Sequence, residues 1–114
     1  MRASVPAADR RDVLEQAERS GLVDDVRFAE QRARRLAERG AGDLLVLDDL
    51  ARHGIDEPVA RQAVSVLEPE SERAARIVGA QEVSARTVRH LAARGFSEET
   101  LEALIADCES RALG

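Results

Sequence analysis

The sequence has no tryptophan, tyrosine or lysine, one cysteine, and only two phenylalanines, Phe28 and Phe96. With so few rings the core must be aliphatic, and stacking of nucleic-acid bases on aromatic side chains is excluded as the main binding mode. The lone thiol, Cys108, excludes a disulfide framework and indicates a reducing compartment. Apolar runs are too short for a membrane span, and the N-terminus lacks the apolar segment of a signal peptide. We therefore expect a soluble, cytoplasmic protein without a membrane partner.

Charge and motifs narrow the function further. All 17 basic residues are arginines, and the 22 acidic residues give a net charge of −5. Bulk charge therefore does not attract nucleic acid, and contact with a polyanion requires a local basic patch. No phosphate-binding glycine loop, nucleophile motif or metal-ligand spacing occurs, so we expect a non-enzymatic protein without cofactor or metal.

A repeated helix-end pattern organises the chain. Gly21, Gly54 and Gly95 each follow two apolar residues at helical spacing and precede another apolar residue. The pattern predicts three helix ends, because a left-handed glycine stops a helix and the next apolar residue packs back on the last turn. Each glycine is followed by a candidate N-cap for a new helix: Asp24, Asp56 and Ser97.

The intervals between these glycines, 33 and 41 residues, favour stacked units of short helices. We predict an all-α fold of tandem three-helix repeats, about two units plus a leading helix. The apolar run at 44–47 is the one segment where a strand competes with a helix. The predicted domains are a tail and leading helix at 1–20, a first repeat at 21–68 and a second at 69–114. The predicted helices are 8–20, 24–39, 43–53, 57–67, 70–79, 81–94 and 97–111.

Three stretches resemble the RecX-type regulators of the RecA recombinase: GLVDDVRFAE at 21–30, LDDLARHGIDEPVARQAV at 47–64 and LAARGFSEETLEALI at 91–105. That family is built from tandem three-helix repeats, and this chain looks like a shortened member. The resemblance implies a non-enzymatic regulator of recombination and DNA repair, linked to the SOS response. Such a protein binds along the groove of a RecA filament on single-stranded DNA and inhibits or modulates its activity.

Two arginine stripes are the candidate contacts with the filament. On the helix predicted at 24–39, one stripe lacks acidic partners four residues away, so it forms the local basic patch that binding to a polyanion requires. A smaller stripe lies on the helix predicted at 81–94. The alternative for both is an ordinary solvated helix face. The principal contacts are Arg32, Arg35 and Arg39, and the secondary contacts are Arg86, Arg89 and Arg94.

Leu44, Leu45 and Leu47 stand where members of the family usually carry basic residues. The leucines remove phosphate contacts and add apolar surface, so contact with single-stranded DNA would be weak or indirect. Exposed apolar patches commonly mark protein contacts. The alternative function is a helical interaction module, a homodimer or a docking protein for another partner, that has lost filament binding. Extra core is the other interpretation of the three leucines.

Overall fold

The computed structural model describes residues 7–79 and 83–113, with side chains described from 21 to 79 and from 83 to 110. Within these ranges the chain forms six α-helices and no strand, which confirms the all-α prediction. Residues 1–6 of the predicted tail, residues 80–82 at the start of the helix predicted at 81–94, and residue 114 lie outside the described part. The helices are α1 (Ala7–Glu38), α2 (Asp43–Arg52), α3 (Glu57–Ser65), α4 (Glu70–Val78), α5 (Ala85–Ala93) and α6 (Glu98–Leu113).

The end of α1 packs with α2 and α3 into a first three-helix unit. Fully buried alanines on α1 let the helices approach closely, because a methyl group fills little space. Leu50 of α2 is completely buried, and removing its side chain from water contributes about 2 kcal/mol. The buried members of this core are Ala29, Ala33, Ala41, Val46, Leu50, Ile55, Ala60 and Ala63.

Helices α4, α5 and α6 form a second unit around a separate aliphatic core. Residues 41 positions apart occupy matching places in the two units, as Leu50 and Leu91 illustrate. This core contains Phe96, one of the two phenylalanines of the chain. Its buried members are Ala74, Val78, Leu91, Phe96, Leu101 and Leu104. The structure is therefore a tandem pair of three-helix units.

Two of the three predicted glycine helix ends are confirmed. Gly54 and Gly95 have positive φ angles of 77° and 88°. After Gly54, the N–H of Ile55 donates to the carbonyl of Leu50 at 3.0 Å, and Phe96 makes the corresponding bond to Leu91 at 3.1 Å. Ile55 and Phe96 are also buried, so each closes its cap by packing back as predicted.

The helix end predicted at Gly21 is wrong. Helix α1 runs without interruption from Ala7 to Glu38, so the predicted helices 8–20 and 24–39 are one helix and Asp24 is not an N-cap. Leu22, the residue that should have closed the cap, is 51% exposed. The missing third end lies at Gly40, where φ is 87° and the N–H of Ala41 donates to the carbonyl of Leu36 at 3.0 Å.

The other helices lie close to their predicted positions, but the helix predicted at 81–94 begins at Ala85, with Ser84 as its N-cap. The apolar run 44–47 is helical and belongs to α2. Pro58 lies in the first turn of α3, and Pro69 is the N-cap of α4. Ser97 caps α6 through a hydrogen bond from the N–H of Thr100 to its hydroxyl at 3.2 Å. Local sequence chemistry therefore fixes the start of each helix from α3 to α6 to within a few residues.

Candidate interaction surface

Arg32 of the principal stripe is paired inside the protein. Its Nε donates to Oδ1 of Asp49 on α2 at 2.8 Å, and its Nη2 donates to Oδ2 at 2.9 Å. The hydrogen bonds from Arg32 lower the pKa of the Asp49 carboxyl below its ordinary value. The prediction of one basic patch in which all three arginines lack acidic partners is therefore wrong for Arg32, which ties α1 to α2.

Arg35 and Arg39 do face solvent. Both side chains are exposed, and no carboxylate among the described side chains lies within ion-pair distance of either guanidinium. Arg35 lines a shallow, mainly polar depression together with Gln31, Arg34 and Glu38. An unpaired guanidinium in this setting can bind a carboxylate or a phosphate with two parallel hydrogen bonds.

The second stripe divides in a similar way. Arg86 and Arg89 on α5 are exposed, whereas Arg94 is half-buried. The Nη2 of Arg94 donates to the main-chain carbonyl of Arg39 at 3.0 Å. Arg94 therefore satisfies an orphan carbonyl at the end of α1 and joins the arginine-bearing ends of α1 and α5.

The three leucines do not form one exposed patch. Leu44 is 55% exposed, but Leu45 and Leu47 are partly buried and pack against the core of the first unit. Leu45 also lies directly against Gly95, where an added Cβ would come within 2.5 Å of it. Most of this apolar surface is therefore core and inter-unit contact, and only Leu44 is left for an outside partner.

Main-chain groups join the two units. The N–H of Gly42 donates to the carbonyl of Arg94 at 2.8 Å, and the N–H of Leu44 donates to the carbonyl of Gly95 at 3.0 Å. Free N–H groups at the start of α2 thus meet carbonyls at the end of α5, which satisfies both helix ends. A Cβ on Gly42 would overlap the main chain of Gly95 and Phe96, so this approach requires glycine.

Two buried charges on α4 flank this contact, and the sequence interpretation missed both. Glu70 is 9% exposed and Arg73 is 7% exposed. One oxygen of Glu70 accepts the N–H of Asp43 at 2.6 Å. Arg73 donates to the Asp43 carboxylate at 2.8 Å and to the carbonyl of Ala41 at 3.0 Å. These groups reach from the second unit to Ala41, in the loop before α2, and to Asp43, the first residue of α2. We call this set of contacts the joint.

The pKa of Glu70 reports on its surroundings. Burial, the largest single influence, raises the pKa, but hydrogen bonds from Thr100, Asp43 and Ser97 together lower it below the ordinary value of a glutamate. The structure therefore accommodates the charged carboxylate, because Glu70 is the acceptor in each of these hydrogen bonds. The signal in the sequence, an acidic residue right after Pro69, was indistinguishable from an ordinary first-turn acid.

Two aromatic side chains, Phe28 and His53, lie in contact beside the principal stripe. Phe28 contacts the next helix, since its ring centroid lies 5.4 Å from that of His53 at the end of α2. His53 in turn has its Nδ1 2.8 Å from the main-chain carbonyl of Asp49 in the last turn of α2. Phe28 stays 39% exposed and contributes an apolar edge beside the arginines of α1.

Two further properties of the described residues concern metal ions and membrane spans. Among the described residues, no group of three or more His, Cys, Asp or Glu side chains is arranged to hold a metal ion. None of the helices in the described part of the chain has the length and hydropathy of a membrane span. The exposed guanidiniums, the apolar edge and the rigid helices together suit binding of an anionic or mixed surface.

Comparison with known proteins agrees with this architecture. Residues 24–64 match the family model described as RecX, second three-helix domain. The matched segment begins within α1 and ends in the last turn of α3, so it coincides with the first unit. No curated protein is a significant match to the chain. Residues 24–64, the first three-helix unit, are thus similar to the second three-helix domain of RecX proteins.

Proposed function

We propose that this protein is a RecX-like regulator that binds filaments of a RecA-type recombinase on single-stranded DNA and modulates their activity in recombination and DNA repair. Regulation is by binding, without catalysis or a cofactor, in the cytoplasm. Arg35 and Arg39 make the principal contacts, and Arg86 and Arg89 extend the surface onto α5. Arg32 and Arg94 support this surface from within through Asp49 and the end of α1.

The observation that carries this proposal is the pair of unpartnered arginines on the RecX-type domain. Arg35 and Arg39 lie on the same helix as Arg32, yet only Arg32 has a carboxylate partner among the described side chains. A chain with a net charge of −5 that leaves these cations free has a local surface for acidic protein or phosphate. The loss of basic residues at 44–47 favours acidic protein groups of the filament over extensive DNA contact.

A filament assay tests the proposal. Added to RecA and single-stranded DNA, the protein is expected to change the rate of ATP hydrolysis, and Arg35→Glu/Arg39→Glu to raise the concentration needed by roughly tenfold or more. Arg52→Glu/Arg61→Glu is the matched control, because it makes the same charge change at two exposed arginines elsewhere in the domain. No effect of the unmodified protein, or equal loss in both variants, would refute the proposed contact.

A helical interaction module without filament binding is the second candidate, and the exposure of Leu44 favours it. Leu44 lies on α2 with 55% of its surface exposed. A homodimer through this residue would be seen by gel filtration or light scattering, and Leu44→Glu would dissociate it. If the protein is monomeric at all concentrations and changes ATP hydrolysis by RecA filaments, the interaction-module candidate is rejected in favour of the RecX-like regulator.

A further inference from the structure

We infer that Glu70 and Arg73 form a polar latch that holds the two three-helix units at one relative orientation. Through this orientation the latch sets the spacing between the arginines of α1 and those of α5. The latch is a property of the fold itself, while its effect on partner binding rests on the proposed function.

A single carboxylate serves both units. Oε2 of Glu70 accepts the N–H of Asp43, in the first turn of α2 in the first unit. Oε1 accepts the N–H of Ser97 at 3.1 Å, the Ser97 hydroxyl at 2.7 Å and the Thr100 hydroxyl at 2.5 Å, all at the start of α6. Glu70 therefore acts as a shared cap for two helices, one in each unit. Two acceptor oxygens are needed, which only a carboxylate at this position provides.

Arg73 closes the other side of the same contact. It lies three residues after Glu70 and therefore on the same face of α4. Its Nη1 donates to the carboxylate of Asp43 at 2.8 Å, and its Nη2 donates to the carbonyl of Ala41, a fully buried residue. Asp43 is consequently held through its main-chain N–H by Glu70 and through its side chain by Arg73.

Polar contacts fix orientation where apolar contacts alone would not. The buried cores of the two units are separate clusters, so no shared hydrophobic core locks the units together within the described residues. Apolar packing tolerates sliding, whereas hydrogen bonds need defined distances and angles. Rotation of one unit would leave the buried Glu70 and Arg73 without partners, and unpaired buried charges are strongly unfavourable.

The latch has a consequence for the arginine surface. At the far side of the joint, Arg94 donates to the end of α1. With both contacts closed, the exposed Arg39 of α1 and the exposed Arg89 of α5 have a fixed separation. A partner with regularly spaced anionic groups gains affinity from such preorganisation, since no entropy is lost in ordering the two units.

Pulsed electron paramagnetic resonance tests the latch by measuring the distance between the two units, and it needs no binding partner. In a Cys108→Ser background, spin labels at Gln31→Cys on α1 and Glu102→Cys on α6 report the distance between units from two exposed positions. One narrow distance distribution is expected with Glu70 intact. Glu70→Ala should broaden it measurably, while the main-chain bonds from Gly42 and Leu44 to the end of α5 still hold part of the interface. Glu72→Ala, an exposed acid on the same helix, is the matched control and should leave it unchanged.

Glu70→Gln supplies the decisive variant if Glu70→Ala does not fold. The glutamine has the same shape but offers one acceptor oxygen, so it can satisfy Ser97 or Asp43 and not both. An intermediate width, with an unchanged helical circular dichroism signal, supports the latch. A distribution as narrow as that of Glu72→Ala in either folded Glu70 variant, or a broad one with Glu70 intact, overturns it. A filament assay that fails while the distances behave as expected rejects the proposed function alone.

Discussion

Arg32 and Arg73 occupy matching positions in the two units, 41 residues apart, and have different partners. Each precedes a fully buried alanine on the first helix of its unit. Arg32 binds Asp49 within its own unit. Arg73 instead crosses to the other unit and binds Asp43. The same residue type at the same place in the repeat thus stabilises one unit in the first case and joins two units in the second.

The reason for the difference lies at two pairs of matching positions, one pair on the second helix of each unit and one pair on the first. The position that matches Asp49 is His90, so α5 offers Arg73 no carboxylate at that place. The position that matches Ala29 is Glu70, which adds a buried acid beside Arg73. The second unit thus has His90 in place of an acid and gains Glu70. Its arginine, Arg73, binds Asp43 of the first unit and not a residue of its own second helix. A repeat therefore keeps its fold through apolar positions while its charges decide how the units connect.

The largest expected effect comes from the matching glycines. Gly95→Ala should lower the free energy of unfolding by about 3 kcal/mol or more, because it combines a positive φ with overlap against Leu45. Gly54→Ala has the positive φ but open space around its Cβ, so about 1–2 kcal/mol is expected. Urea unfolding of both variants measures the difference. Equal losses of unfolding free energy in the two variants would mean that the close contact between Gly95 and Leu45 does not contribute to stability.

Removing the two arginines should separate their roles. Arg73→Ala leaves Asp43 and the carbonyl of Ala41 without a partner, and should cost about 2–3 kcal/mol in unfolding free energy. Arg32→Ala breaks a pair that water still reaches, so a smaller loss is expected. Chemical denaturation checks the order. A larger loss for Arg32→Ala than for Arg73→Ala would reverse the assignment of the buried contact to the joint.

The matching N-caps provide a smaller test. Ser97→Ala should cost about 1 kcal/mol, because its hydroxyl caps α6 and also donates to Glu70. Asp56 makes no side-chain cap bond to α3, so Asp56→Ala should cost only about a few tenths of a kcal/mol. Thermal unfolding of the two variants ranks them. Equal melting temperatures would argue that the Ser97 bonds carry no free energy.

The smallest expected effect is a shallow dependence of the unfolding free energy on pH, to which Asp49 and Glu70 contribute. Hydrogen bonds hold the pKa of Asp49 and of Glu70 below their ordinary values. Each acid therefore contributes stability that is present above its ordinary pKa and is lost as the pH falls through its lowered folded-state pKa. The effect of Glu70 is expected to be modest, since its burial opposes its hydrogen bonds. Unfolding free energies measured down to about pH 3 should fall less steeply for Glu70→Gln. An unchanged slope would contradict this contribution.

Local signals in the sequence were sufficient for most of the fold. Helices α2 to α6 follow from apolar spacing and from turn chemistry, which act between near neighbours. At Gly21, where the prediction failed, Ala17 and not leucine stands four residues before the glycine, and Leu22 after it is 51% exposed. The true helix ends share a leucine and an alanine before the glycine, as in LAERGA at 36–41, LARHGI at 50–55 and LAARGF at 91–96.

The charged contacts were beyond the reach of such signals. Arg32 and Asp49 are 17 residues apart, and Arg73 and Asp43 are 30 apart. Pairs at these separations depend on how helices cross, which hydrophobic periodicity does not specify. A charged residue on a helix is usually solvated, so Glu70 gave no sign of burial in the sequence. The exposed positions of Arg35 and Arg39 agree with the predicted stripe, and their role in binding stays a prediction.

A double-mutant cycle on Asp43 and Arg73 tests the joint between the units most directly. Unfolding free energies of Asp43→Ala, Arg73→Ala and the double variant give the coupling between the two side chains, with changes specific to either residue cancelled. A favourable coupling of about 1 kcal/mol or more is predicted for this partly buried, hydrogen-bonded ion pair. Strictly additive effects would contradict a charged connection between the two three-helix units.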